Sequence, residues 1–83
     1  MTSAAATNAH NRARRNNPSI AGADDGYDYG FHAAMDKHYS GKTRELHESA
    51  DPRWVKNRAY RRAFNKAAHE GHKDGRETIR LSE

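Results

Sequence analysis

Cysteine is absent from this 83-residue chain, which excludes disulfides and thiolate zinc sites. Large apolar side chains are scarce: Phe, Leu, Ile and Val amount to Ile20, Phe31, Leu46, Val55, Phe64, Ile79 and Leu81. No run approaches the roughly 20 apolar residues needed to cross a bilayer, and the first residues lack the apolar stretch of a secretion signal. The expectation is therefore a cytoplasmic protein without a membrane partner. Mean hydropathy is −1.28 and 31% of residues are charged, a composition close to that of disordered chains. A chain this short forms one domain at most, around a thin core.

What apolar material there is lies in the middle. The aromatics Tyr27, Tyr29, Phe31, Tyr39, Trp54, Tyr60 and Phe64 all fall between residues 27 and 64. This distribution predicts a folded centre over 19–72, a disordered basic arm over 1–18 and a flexible, frayed tail over 73–83. The arm carries Arg12, Arg14 and Arg15 and closes on Asn16-Asn17-Pro18, which reads as a breaker.

Within the centre, Tyr27, Phe31, Ala34, Met35, His38 and Tyr39 recur at three- and four-residue steps, predicting a helix from about Asp24 to Ser40. Gly41 suits its left-handed cap. Gly26 and Gly30 each cost about 1 kcal/mol relative to Ala inside a helix; spaced four apart, they would let another backbone come close. A homodimer packed on that groove is one use for them. Asp51-Pro52 has the form of an N-cap followed by the first helical residue. It predicts a second helix from Pro52 to about His69, ended by Gly71, with Tyr60, Ala63, Phe64 and Ala67 on one stripe. Two such helices joined by about ten residues predict an all-α antiparallel two-helix hairpin.

No catalytic constellation is visible: no nucleophile with a flanking base, no glycine-rich phosphate loop, no paired carboxylates in a cleft. The chain reads as a binding protein that is not an enzyme and uses no cofactor. The six histidines offer no convergent metal set; His69-Glu70-Gly71-His72 falls one residue short of the helical zinc-protease spacing. His38, on the apolar stripe, is expected to be half-buried.

The net charge of +4 favours polyanionic partners. From Arg53 to Lys66 there are six Lys or Arg residues and no acid. Projection at 100° per residue sets Arg58, Arg61 and Arg62 opposite the aromatic stripe, with Lys66 nearby. A row of fork-shaped guanidinium donors matches phosphate oxygens. The candidate nucleic-acid contacts are Arg53, Arg58, Arg61, Arg62 and Lys66, with Arg12, Arg14 and Arg15 in the arm. Two plainer readings compete: a solvated face that keeps the chain soluble, and pairing of these arginines with Asp24, Asp25, Asp28 and Asp36 of the first helix. A rival function is a phage-type interaction module that modulates a host protein, with Trp54, Tyr29 and Val55 as exposed anchors and the arginines steering association with an acidic surface.

The segments Gly26-Tyr27-Asp28-Tyr29-Gly30-Phe31-His32-Ala33 and Ala59-Tyr60-Arg61-Arg62-Ala63-Phe64-Asn65-Lys66-Ala67 resemble the ribosome modulation factor family of small basic proteins. Those have a Gly-Tyr-x-x-Gly first helix and a Tyr-x-x-small-aromatic-x-x-Ala second helix. The resemblance spans about residues 26–71. It implies an antiparallel hairpin that binds ribosomal RNA and suppresses translation, with Tyr27 and Gly30 as packing positions and Arg58, Arg61 and Arg62 as RNA contacts. The chain departs from that family in its longer linker, which carries Asp51-Pro52 in place of a cysteine-proline turn, and in its arm and tail.

Overall fold

The computed structural model describes residues 14–83, without the side chains of residues 47 and 48. It has the expected all-α, two-helix architecture: α1 (Pro18–Ser40), a single turn α2 (Leu46–Ser49) and α3 (Arg58–Ser82). No helix among the described residues is long and apolar enough to cross a membrane.

Helix ends follow side-chain capping. Asn17 accepts hydrogen bonds at Oδ1 from the Ser19 and Ile20 backbone N–H groups, at 3.0 and 3.4 Å, with Pro18 at the first helical position. The Asn-Pro pair expected to break the chain thus starts α1 six residues before Asp24, because a capping oxygen before a donor-less Pro is a start signal. Gly41, at φ 70°, ends α1 as expected, its N–H donating to the Lys37 carbonyl. Asp51-Pro52 behaves differently. Asp51 Oδ1 accepts from the Arg53 backbone N–H at 2.9 Å, but residues 52–56 form turns and α3 begins only at Arg58. There the Asn57 side chain takes the Tyr60 N–H.

Nor does Gly71 end the second helix. α3 continues to Ser82, and Gly71, Gly75 and Ile79 are buried. Residues expected to fray are therefore part of the helix pair. A glycine on the contact stripe is retained because it lets the neighbouring backbone come closer, which outweighs its poor helix propensity.

The helices run parallel, not antiparallel. Gly22 lies against Tyr60, Gly26 against Phe64, and Gly30 against Ala68 and His72; Gly71 lies against Tyr27 and Phe31, and Gly75 against Phe31 and Ala34. Partner numbers rise together along both helices, and His38 near the end of α1 meets Glu83 just beyond α3. The returning connection occupies residues 41–57, which reach roughly 55 Å when extended; α1 is only about 35 Å long. A second helix starting at Pro52 would leave only about ten residues between the helices, roughly 33 Å when extended, which barely spans α1 and is why the sequence points to an antiparallel pair.

Five glycines make the seam. A methyl group placed on Gly22, Gly26 or Gly30 would sit 2.3, 2.2 or 2.0 Å from a carbonyl oxygen of α3, and one on Gly71 would sit 2.1 Å from the Tyr27 carbonyl. Such contact lets glycine α-hydrogens meet carbonyl oxygens and brings many backbone atoms into dispersion range. The groove offered for a second copy is filled by the chain's own α3. Beside the seam, Ala21, Tyr60 and Phe64 form the buried cluster, with Tyr29, Trp54 and Ala68 packed on it.

Candidate nucleic-acid interface

The end of the molecule where α1 and α3 begin is held by a compact polar network. Arg15 donates to both oxygens of Asp25, at 2.8 and 3.1 Å, and also to Asp51. Its carbonyl accepts from the Trp54 indole N–H at 2.8 Å and from Arg53 at 2.7 Å. The Tyr60 hydroxyl donates to Asp25 at 2.6 Å and accepts from the Asp51 backbone N–H at 2.9 Å. Hydrogen bonding to Asp25, reinforced by Asp51, holds the Arg15 guanidinium pKa above its ordinary value. The Arg53 backbone N–H, with help from Arg15, holds the Asp51 carboxyl below its own. Burial first, and the Asp25 carboxylate second, push the Tyr60 phenol up to about 12.

This network accounts for several side chains proposed as contacts. Arg15 is spent on Asp25 and Asp51, and Arg14 pairs with Asp24 at 3.0 Å. Arg53 bonds Asn16 and the Arg15 carbonyl and lies 5.0 Å from the Trp54 ring centroid. Arg12 lies outside the described residues. Trp54 and Tyr29 are half-buried rather than exposed: Trp54 is tied to the Arg15 carbonyl, and Tyr29 packs 5.4 Å from Phe64 with its hydroxyl donating to the Arg44 carbonyl. Val55 is half-buried as well. The expected exposed anchors thus belong largely to the internal packing.

The aspartates of α1 find partners away from α3's arginines. Asp24 and Asp25 pair with Arg14 and Arg15, Asp28 with His32 and Asp36 with Arg44. Arg58, Arg61, Arg62 and Lys66 are all exposed. Among the described residues none of the four forms an ion pair, so the competing intramolecular neutralisation does not occur. Two clefts flank the outer face of α3. One, of about 600 Å³, is lined by Arg58, Arg62 and Lys66 beside Ser19 of α1. The other, of about 870 Å³, is lined by Lys73, Arg76 and His72 against Lys37 and His38, with Glu77 and Glu83 at the same cleft.

Sequence reasoning missed Lys73 and Arg76. They sit in the segment expected to be a flexible tail, and the four-residue spacing of Gly71 and Gly75 is the signal that the helix continues. His38 is exposed beside Glu83, not packed, and among the described residues no three His, Asp or Glu side chains converge as a metal site. The arrangement offers fixed positive charge and hydrogen-bond donors on a rigid helix. Comparison with models of protein families, with curated proteins and with solved structures found no match for this chain.

Proposed function

We propose that this protein is a small nucleic-acid-associated accessory protein, RNA in preference to DNA, which holds phosphates on the outer face of α3. One observation carries the reading: Arg58, Arg61, Arg62 and Lys66 project from a helix fixed by its glycine seam, and the aspartates of α1 pair with other residues. Pre-positioned, uncompensated guanidinium groups suit phosphate more than they suit stability, since unpaired like charges on one helix face repel. The preference for RNA, and a role at the ribosome in regulating translation, come from the likeness to the ribosome modulation factor family.

Equilibrium binding to RNA tests this. Affinity should fall steeply with salt, each phosphate contact adding about −0.7 to −0.9 to the log-log slope. Changing Arg58, Arg61 and Arg62 together to Glu should abolish binding while leaving the helical circular dichroism intact. Binding that survives this triple change, or that ignores salt, refutes the reading.

A further inference from the structure

We infer that the polyanion site runs the whole length of α3 as one straight row of basic side chains, and that it is matched to a single strand of nucleic acid rather than to a duplex. This rests on the nucleic-acid reading above and goes beyond it in naming the extent of the surface and the form of the partner.

Arg58, Arg62, Lys66, His69, Lys73, Arg76 and Arg80 follow one another at steps of four, four, three, four, three and four residues. At 3.6 residues per turn these steps keep all seven within an arc of about 80°, so the row neither winds around the helix nor breaks at Gly71 or Gly75. All seven are exposed. Arg80 is tied to Glu77; among the described residues the other six form no ion pair, and Arg61 stands beside them. The acids of α3, Glu70, Asp74 and Glu77, fall to one flank of the arc, where Asp74 accepts the Tyr27 hydroxyl at 2.6 Å. The row is about 33 Å long at 1.5 Å per residue, with one open cleft beside each half.

A duplex uses such a row poorly. One strand of B-form DNA completes a turn in about 34 Å, so a duplex lying along the row brings each strand to it only once. Laid across B-form DNA, the row spans a major groove about 12 Å wide and meets only the phosphates on its walls; the major groove of A-form RNA is deep and narrow and admits side chains even less. A single strand can follow a line and place a phosphate at each cation in turn. No aromatic side chain stands in the row to stack on bases, so recognition is by backbone charge and indifferent to sequence.

The test measures binding of the full chain to single-stranded oligoadenylates, whose bases stack, of increasing length and to DNA and RNA duplexes, over a range of salt. Affinity should rise with length up to about 10 nucleotides, the stacked length that covers 33 Å at 3.4 Å per nucleotide. The salt slope should approach about −3.5, from the five Lys or Arg of the row without an ion pair among the described residues at about −0.7 each. Arg58→Glu with Arg62→Glu, and separately Lys73→Glu with Arg76→Glu, should each weaken binding about tenfold or more and shorten the length dependence. Lys42→Glu with Lys56→Glu, which changes the net charge equally but none of the row's own side chains, should do much less. If only the Arg58/Arg62 pair matters, the site stops at mid-helix and the row is refuted while nucleic-acid binding stands. If neither pair matters, the nucleic-acid reading itself falls. A duplex bound as tightly as the single strand, with an equal or steeper slope, overturns the single-strand assignment.

Discussion

At the scale of single residues, the fold depends on what certain side chains lack. Gly26→Ala would press a methyl group to 2.2 Å from the Phe64 carbonyl oxygen, against backbone that cannot rotate away. The change should cost about 3 kcal/mol despite alanine's better helix propensity. Gly41→Ala meets nothing within 4 Å and has only its φ of 70° to resist it, so it should cost about 1 kcal/mol; urea midpoints would rank the two. Tyr60 gives a pH signature. Its folded-state pKa is raised to about 12, so the native state keeps the phenolic proton after the unfolded chain has lost it. That contribution is whole below the ordinary tyrosine pKa of about 10 and is lost as pH rises through 12. Urea midpoints followed from pH 9 to about 12 should fall for the native sequence and stay flatter in Tyr60→Phe. These residues were half legible beforehand. The Gly26/Gly30 spacing signalled a close backbone, but nothing local says which backbone arrives, and the Arg15–Asp25–Asp51–Tyr60 network joins positions far apart in sequence.

At the scale of elements, the helices were legible and their limits were not. The stripe of the first half of α3 holds, with Tyr60 and Phe64 buried, but that of α1 does not. There Tyr27, His38 and Tyr39 are exposed, and the packed face is Ala21, Gly22, Gly26, Gly30 and Ala34, because close backbone contact selects the small residues. Limits failed where one motif has two uses. Asn17-Pro18 and Asp51-Pro52 have the same capping chemistry, yet the first starts a helix and the second a turn, because Asp51 is drawn into the Arg15 network. Past Gly71, the small residues that lower helix propensity are the ones that permit the seam. The continued helix makes a sharp prediction. Ile79 is buried and Leu81, two residues on, is 74% exposed; Ile79→Ala should cost about 2–3 kcal/mol, and Leu81→Ala less than about 0.5 kcal/mol. A frayed tail would make both changes neutral in chemical denaturation.

At the scale of the whole molecule, parallel packing decides what faces water. It puts both helix starts at one end, where Asp25 and Asp51 absorb Arg15, and leaves Arg58, Arg62, Lys66, Lys73 and Arg76 of α3 without an ion pair among the described residues. The absence of native cysteine makes spin labelling unambiguous. Labels at Ser40 and Ser82 should report a short separation, and labels at Ser19 and Ser82 one of about 35 Å; an antiparallel pair would reverse the two. The direction of packing was not legible because it turns on the length of the connection, which followed from the misplaced start of α3. The outward face of Arg58, Arg61 and Arg62 was legible from periodicity alone, since it depends only on where Tyr60 and Phe64 point. The most direct test of the function drawn from that face is affinity capture from a cell lysate, in parallel with and without nuclease. The native chain should retain RNA that nuclease releases and that the Arg58/Arg61/Arg62→Glu variant never captures. A captured protein that survives nuclease, held equally by that variant and with no nucleic acid present, would contradict the account.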